Sequence, residues 1–133
     1  MRTSFRYLVT AALLAAAPGA ARAQSSADEK AVIAVADSAL AAITHGDAKA
    51  FTDLMIPEAM LYPTSTRDGV TTVRVRTREA QRAAAINGVV ERGFSPRAMV
   101  SGGVAMVWFP YDLYVNGAWS HCGVDALTMY QVG

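Results

Sequence analysis

The stretch "VAMVWFPYDLYVNGAWSHCGVDALTMYQV", residues 104–132, decides the fold. Asn116-Gly117 is the strongest two-residue signal for a hairpin turn, because both central positions of that turn need positive φ. Both flanks are rich in β-branched and aromatic residues, so two long strands meet across it. Regular pairing outward from the turn sets Tyr114 opposite Trp119 and Asp112 opposite His121. On that count Trp108, Asp112 and Tyr114 share one side with Trp119, His121 and Asp125. Val107, Phe109, Tyr111, Leu113 and Val115 share the other with Cys122, Val124 and Ala126. Asp112 and His121 then occupy a non-hydrogen-bonded pair with Cα atoms about 4.5 Å apart, where a carboxylate fixes one tautomer of the ring. Pro110 inside the first strand marks a bulge or an edge.

The chain before this hairpin supplies helices. Ser26 and Glu29 form a capping box ahead of an apolar stripe at Val32, Val35, Ala36, Ala39, Leu40 and Ile43, which predicts a helix over 27–45. Gly46 stops it, and His45 in its last turn suits the helix dipole. Asp47 caps a short helix that buries Phe51 and Leu54 and ends before Pro57. "AMLYPTST" (59–66) reads as a strand interrupted by Pro63, and Arg67-Asp68-Gly69 as a turn. "VTTVRVRT" has the alternation of a half-buried strand. Thr77 caps a third helix closed by Asn87-Gly88, "VVERGFSP" (89–96) reads as a loop, and "RAMVS" (97–101) as a strand. Helices and hairpins segregated in this way predict an α+β antiparallel fold.

The N-terminal segment reads as a signal for export. Arg2 and Arg6 precede the uncharged run Tyr7 to Ala17, Pro18-Gly19 follows, and Ala21-Arg22-Ala23 has the small residues of a cleavage site. The run is shorter than the roughly 20 residues of a spanning helix. The expected division is a signal peptide over 1–23 and one domain over 24–133, exported to the periplasm or secreted, with no membrane association after cleavage. The chain carries 12 basic and 11 acidic residues; Arg2, Arg6 and Arg22 leave with the signal, so the remainder is acidic by two charges. No basic footprint for nucleic acid remains. Cys122 is the sole cysteine, so no internal disulfide forms, and a buried filler is its expected role.

No phosphate-cradling loop and no nucleophile elbow are present. His45 and His121, the only histidines, lie far apart in the chain, and Cys122 points away from His121 across the pleat, so neither a metal site nor a cofactor is expected.

The "HGD" ending the first long helix, the following "FTDLMIPEAMLY" and the later "VWFPYDLYVNGAWSHCGVDALTMYQ" resemble the nuclear transport factor 2-like superfamily, nearest its exported SnoaL-like or lumazine-binding type. The resemblance runs from about Ala27 to the end. It implies a cone-shaped curved antiparallel sheet wrapped around a long N-terminal helix, a pocket between them, and a homodimer. Members continue beyond the point where this chain stops, with a further strand, so the resemblance implies that the last strand is lacking. No catalytic set transfers residue by residue.

Three functions follow as expectations. The first is an exported module that binds a small apolar or aromatic molecule, with Tyr62, Trp108, Tyr114, Trp119 and Asp125 as candidate ligand contacts. The second is a cofactor-independent isomerase, dehydratase or cyclase using Asp112 and His121 for acid–base chemistry. The third is a dimerisation module whose aromatic sheet face meets its copy.

Overall fold

The computed structural model describes residues 18–133, with side chains from Ser26 onward. The expected signal sequence lies largely outside the described residues. The long helix α1 spans Pro18–Thr44, so it runs through Ser26 and the predicted capping box does not start it. Residues 20–24, Ala-Ala-Arg-Ala-Gln, are good helix formers, which carry the helix past the cap signal. Its end is as expected. Gly46 adopts φ 71°, its N–H bonds Ile43 O at 3.0 Å and the Asp47 N–H bonds Ala42 O at 2.9 Å, closing the last carbonyls.

Asp47 caps α2 (Ala48–Asp53) by accepting from the Ala50 N–H at 2.8 Å. A two-residue strand β1 (Met60–Leu61) pairs with β4 (Arg76–Thr77), and between them the hairpin β2 (Thr64–Arg67) and β3 (Val70–Val73) pairs only with itself. This corrects the half-buried reading of "VTTVRVRT". Every residue of β2 and β3 is exposed, because no other layer lies on either face of the hairpin. Helix α3 (Arg78–Ala83) is capped by Thr77 and tied to α2, with Arg78 donating to Thr52 O at 2.8 Å and Arg82 paired with Asp53.

The remaining sheet has four strands: β5 (Val89–Gly93), β6 (Arg97–Ser101), β7 (Val104–Val115) and β8 (Ala118–Tyr130). All pair antiparallel with β7. β8 runs along one edge of β7, while β6 and β5 share the other edge end to end. At that seam sits Pro110. Its carbonyl accepts from the Phe94 N–H at 2.8 Å, so its missing N–H falls where β6 gives way to β5 and no ladder bond is lost. The second edge of β8 has no strand partner among the described residues.

α1 lies across one face of this sheet. Ala36, Val107 and Phe109 form the buried centre, with Val32, Leu40, Ala98, Leu127 and Met129 packed around them. The architecture is α+β, an N-terminal helix on an antiparallel sheet, as the order of elements predicts. "VVERGFSP" is corrected: its first five residues are β5, paired Glu91 to Leu113 and Arg92 to Asp112. β7 is long enough to offer β5 a place beyond the end of β6.

The register of the long hairpin is also corrected. Tyr114 pairs with Trp119 as predicted, but Leu113 pairs with His121 and Asp112 with Cys122, leaving Ser120 as an extra residue in β8. A bulge of one residue changes the phase of everything beyond it. His121, Gly123, Asp125, Leu127 and Met129 therefore share the helix-facing side with Phe109, Tyr111 and Leu113. Cys122, Val124 and Ala126 share the outer side with Trp108 and Asp112. Asp112 and His121 are not a pair. Cys122 is exposed, so the expected filler role does not hold either.

Candidate functional site

Three groups of candidate residues separate in space. On the outer side, Asp112 accepts two hydrogen bonds from Arg92, Nε to Oδ1 at 2.8 Å and Nη2 to Oδ2 at 2.5 Å. The same guanidinium stands 4.8 Å from the Tyr114 ring centroid and donates to its hydroxyl at 3.0 Å. The arginine beside Asp112 holds its carboxyl below the usual range, and Asp112 in turn raises Arg92. A carboxylate engaged in this way is a poor proton acceptor. Trp108 and Trp119 are also on the outer side and exposed. Tyr62 is exposed at the mouth of a cleft described below.

The second group faces α1. Glu91 on β5, Tyr111 on β7, and His121 and Asp125 on β8 project from one sheet face. The backbone N–H of Glu91 meets the Thr44 hydroxyl at 3.4 Å, which puts this residue under the C-terminal end of α1. The row at Tyr111 is flanked by glycines, Gly93 on β5 and Gly123 on β8. A Cβ at Gly123 would stand 2.9 Å from three atoms of the Tyr111 ring, so the ring lies over that glycine. A Cβ at Gly93 would press on Leu40 and Phe109 at the same distance. The two glycines leave room for side chains to lean across the sheet. The rings of Tyr111 and His121 meet edge to face, centroids 5.8 Å apart, and His121 Nδ1 is 3.0 Å from the Ser120 hydroxyl.

The carboxyls of Glu91 and Asp125 stand close enough on this face for each to act on the other's proton. Burial, then the charge of Asp125, pushes Glu91 up to about 8. Burial also raises Asp125, while Glu91 beside it works against that rise. Burial and the neighbouring carboxylate thus favour a proton on Glu91 at neutral pH. Burial, with the carboxyls nearby, raises Tyr111 as well. A half-buried acid beside a carboxylate, a phenol and an imidazole can hold and pass a proton.

The third feature is a cleft of about 960 Å³ between α1, α2 and β1 on one side and the end of β8 with the β6–β7 turn on the other. Val32, Ala39, Phe51, Leu54, Leu61 and Leu127 give it apolar walls, and Glu58, Tyr62 and Gln131 add polar groups. Leu127, in its wall, is the next helix-facing residue after Asp125 on β8.

Of the residues singled out by sequence, the fold brings His121 and Asp125 to one face and sends Asp112, Tyr114, Trp108 and Trp119 to the other. Sequence reasoning missed Glu91, hidden in a segment read as loop, and Tyr111, placed with the apolar side. The adjacent β-branched residues Val89 and Val90 were the signal available for a strand there. Among the described residues no group of three His, Cys, Asp or Glu side chains is arranged to hold a metal. Comparison with known proteins finds no match: no family model, no curated protein and no solved structure aligns significantly with this chain.

Proposed function

We propose that this protein is an exported small-molecule-binding domain of the nuclear transport factor 2-like kind, its sheet bent around α1 as the sides of a cone. The observation that carries the binding role is the cleft of about 960 Å³, walled by apolar side chains with few polar groups. Such a shape and lining suit a small apolar or aromatic molecule, whose burial contributes roughly 25 cal/mol per Å² of apolar surface. The test is titration with an apolar fluorescent probe such as N-phenylnaphthylamine. Ala39→Phe and Val35→Trp, both on the α1 wall, fill the cleft and should abolish the fluorescence rise while leaving circular dichroism unchanged. Undiminished probe binding by both folded variants refutes the reading.

A second reading is favoured by the Glu91–Asp125 pair. In it a molecule reaching from the cleft toward Asp125 undergoes cofactor-independent proton transfer. The Asp125 carboxylate takes the proton, and Glu91, Tyr111 and His121 supply hydrogen bonds to the charge that develops. Exchange of α-deuterium from a small ketone, followed by NMR, should then fall in Asp125→Asn. Exchange equal to buffer alone in the wild type removes this reading and leaves the binding role standing.

A further inference from the structure

We propose that the molecule held in the cleft is an amphipathic cation, an apolar ring or chain that ends in an amine or quaternary ammonium group. This ligand class presumes the binding role proposed above and adds a sign of charge to it. Asp28 and Glu58 are the only charged side chains that line the cleft among the described residues, and both are acids; no Lys, Arg or His lines it. The two reach it from different parts of the chain. Asp28 continues the stripe of α1 that walls the cleft, one turn before Val32 and in line with Val35 and Ala39. Glu58 lies between α2 and β1, two residues before Met60. The rings of Phe51 and Tyr62 line the same space, and Tyr62, 61% exposed, stands with the exposed Glu58 at its rim. Past Leu127, the next helix-facing residue along β8 is Asp125, a further acid.

A carboxylate or phosphate head brought to this rim meets like charge and no guanidinium or ammonium partner. An ammonium head meets opposite charge and aromatic rings, whose faces also attract a cation. Glu58 is exposed and Asp28 half-buried, so each acts with about the strength of a surface ion pair. The discrimination comes from the difference, since the same groups attract one sign and repel the other. For one apolar body, a cation should therefore bind about tenfold more tightly than an anion. The body supplies the bulk of the affinity by leaving water for the apolar walls. The head keeps its contact with water, as a lysine does at the border of an apolar surface, so little desolvation opposes it. Proton transfer at Asp125 plays no part in this preference.

The test is displacement of bound N-phenylnaphthylamine from the full chain by decyltrimethylammonium, decanoate and decanol, which share one chain length and differ in charge, each below its micelle concentration. The cation should displace the probe at about tenfold lower concentration than decanoate, with decanol between them. Raising salt to about 1 M should bring the ratio down to about twofold, because the head groups are open to solvent. Glu58→Gln should lower the ratio by about threefold, and Glu58→Lys should abolish or reverse it, while displacement by decanol stays unchanged in both. Asp37→Asn removes a carboxylate of α1 that does not line the cleft, and should leave the ratio as it is. That control separates the cleft from the general pull of an acidic chain on cations. Equal displacement by cation and anion, or a preference that survives Glu58→Lys, overturns the proposal and leaves the binding role standing. A probe that never binds removes both.

Discussion

Replacing Glu91 by glutamine removes one titration and little else. Glutamine keeps the length of the side chain and a donor for Asp125, but it cannot ionise. In the wild type Glu91 moves from an ordinary 4.5 in the unfolded chain to about 8 in the folded one. Between those values the folded state holds a proton that the unfolded state has released, so stability falls as pH rises through this window. Above it the loss is complete. The full displacement corresponds to a ceiling of about 5 kcal/mol, at 1.36 kcal/mol for each tenfold change in proton affinity. Glu91 is only half-buried, and solvent screening brings the expected loss to about 2 kcal/mol. Out of a total of about 5–15 kcal/mol this is readily measured. Urea denaturation of wild type and Glu91→Gln at pH 5, 7 and 9 should give similar stability at pH 5 and a variant more stable by about 2 kcal/mol at pH 9. Asp125 titrates in both proteins, so the difference between the two curves reports Glu91 together with its effect on Asp125. Parallel curves across the range would refute the claim that Glu91 keeps its proton through burial and its carboxylate neighbour.

Gly123→Ala puts a Cβ 2.9 Å from the Tyr111 ring, and the resulting overpacking should cost about 1–3 kcal/mol in chemical denaturation and move the Tyr111 ring resonances. Asp112→Asn should leave the His121 ring resonances where they are in the wild type, because the two side chains lie on opposite sides of the sheet; it should release Arg92 instead, seen as loss of a slowed guanidinium Nε–H signal. The proposed export predicts Gln24 as the N-terminus in an intact-mass measurement, and retention of Met1 would count against export by cleavage.

The helical first third was legible because its signals are local: the apolar stripe, Gly46, Asp47 and Thr77 act within a turn or two of themselves. The Asn116-Gly117 turn was legible for the same reason. The site was not, and the cause is specific. Face assignment in β8 depends on counting residues from the turn, and Ser120 breaks the count without any mark in composition. Serine is ordinary in a strand, and either set of alternate residues beyond it mixes apolar with polar groups. Asp125 and His121 were thus recognised as chemical residues and placed with the wrong neighbours. Glu91 was lost differently. Gly93 and Pro96 made its segment look like a turn, and only the length of β7, which leaves room past β6, gives that segment a strand to pair with.

The bulge at Ser120 also bears on how sequences of this kind can drift. Because Ser120 is surplus to the ladder, a lineage that lost this codon would keep Trp119 facing out and His121 facing the helix, with the same partners on β7. Gain or loss of one residue anywhere in 121–124 would instead put Asp125 and Leu127 out of phase with Phe109 and Val107. One position in the hairpin is therefore nearly silent to a change of length, while its close neighbours are not. An alignment gap at 120 would say nothing about whether a relative has kept its carboxyl pair; a gap three residues later would.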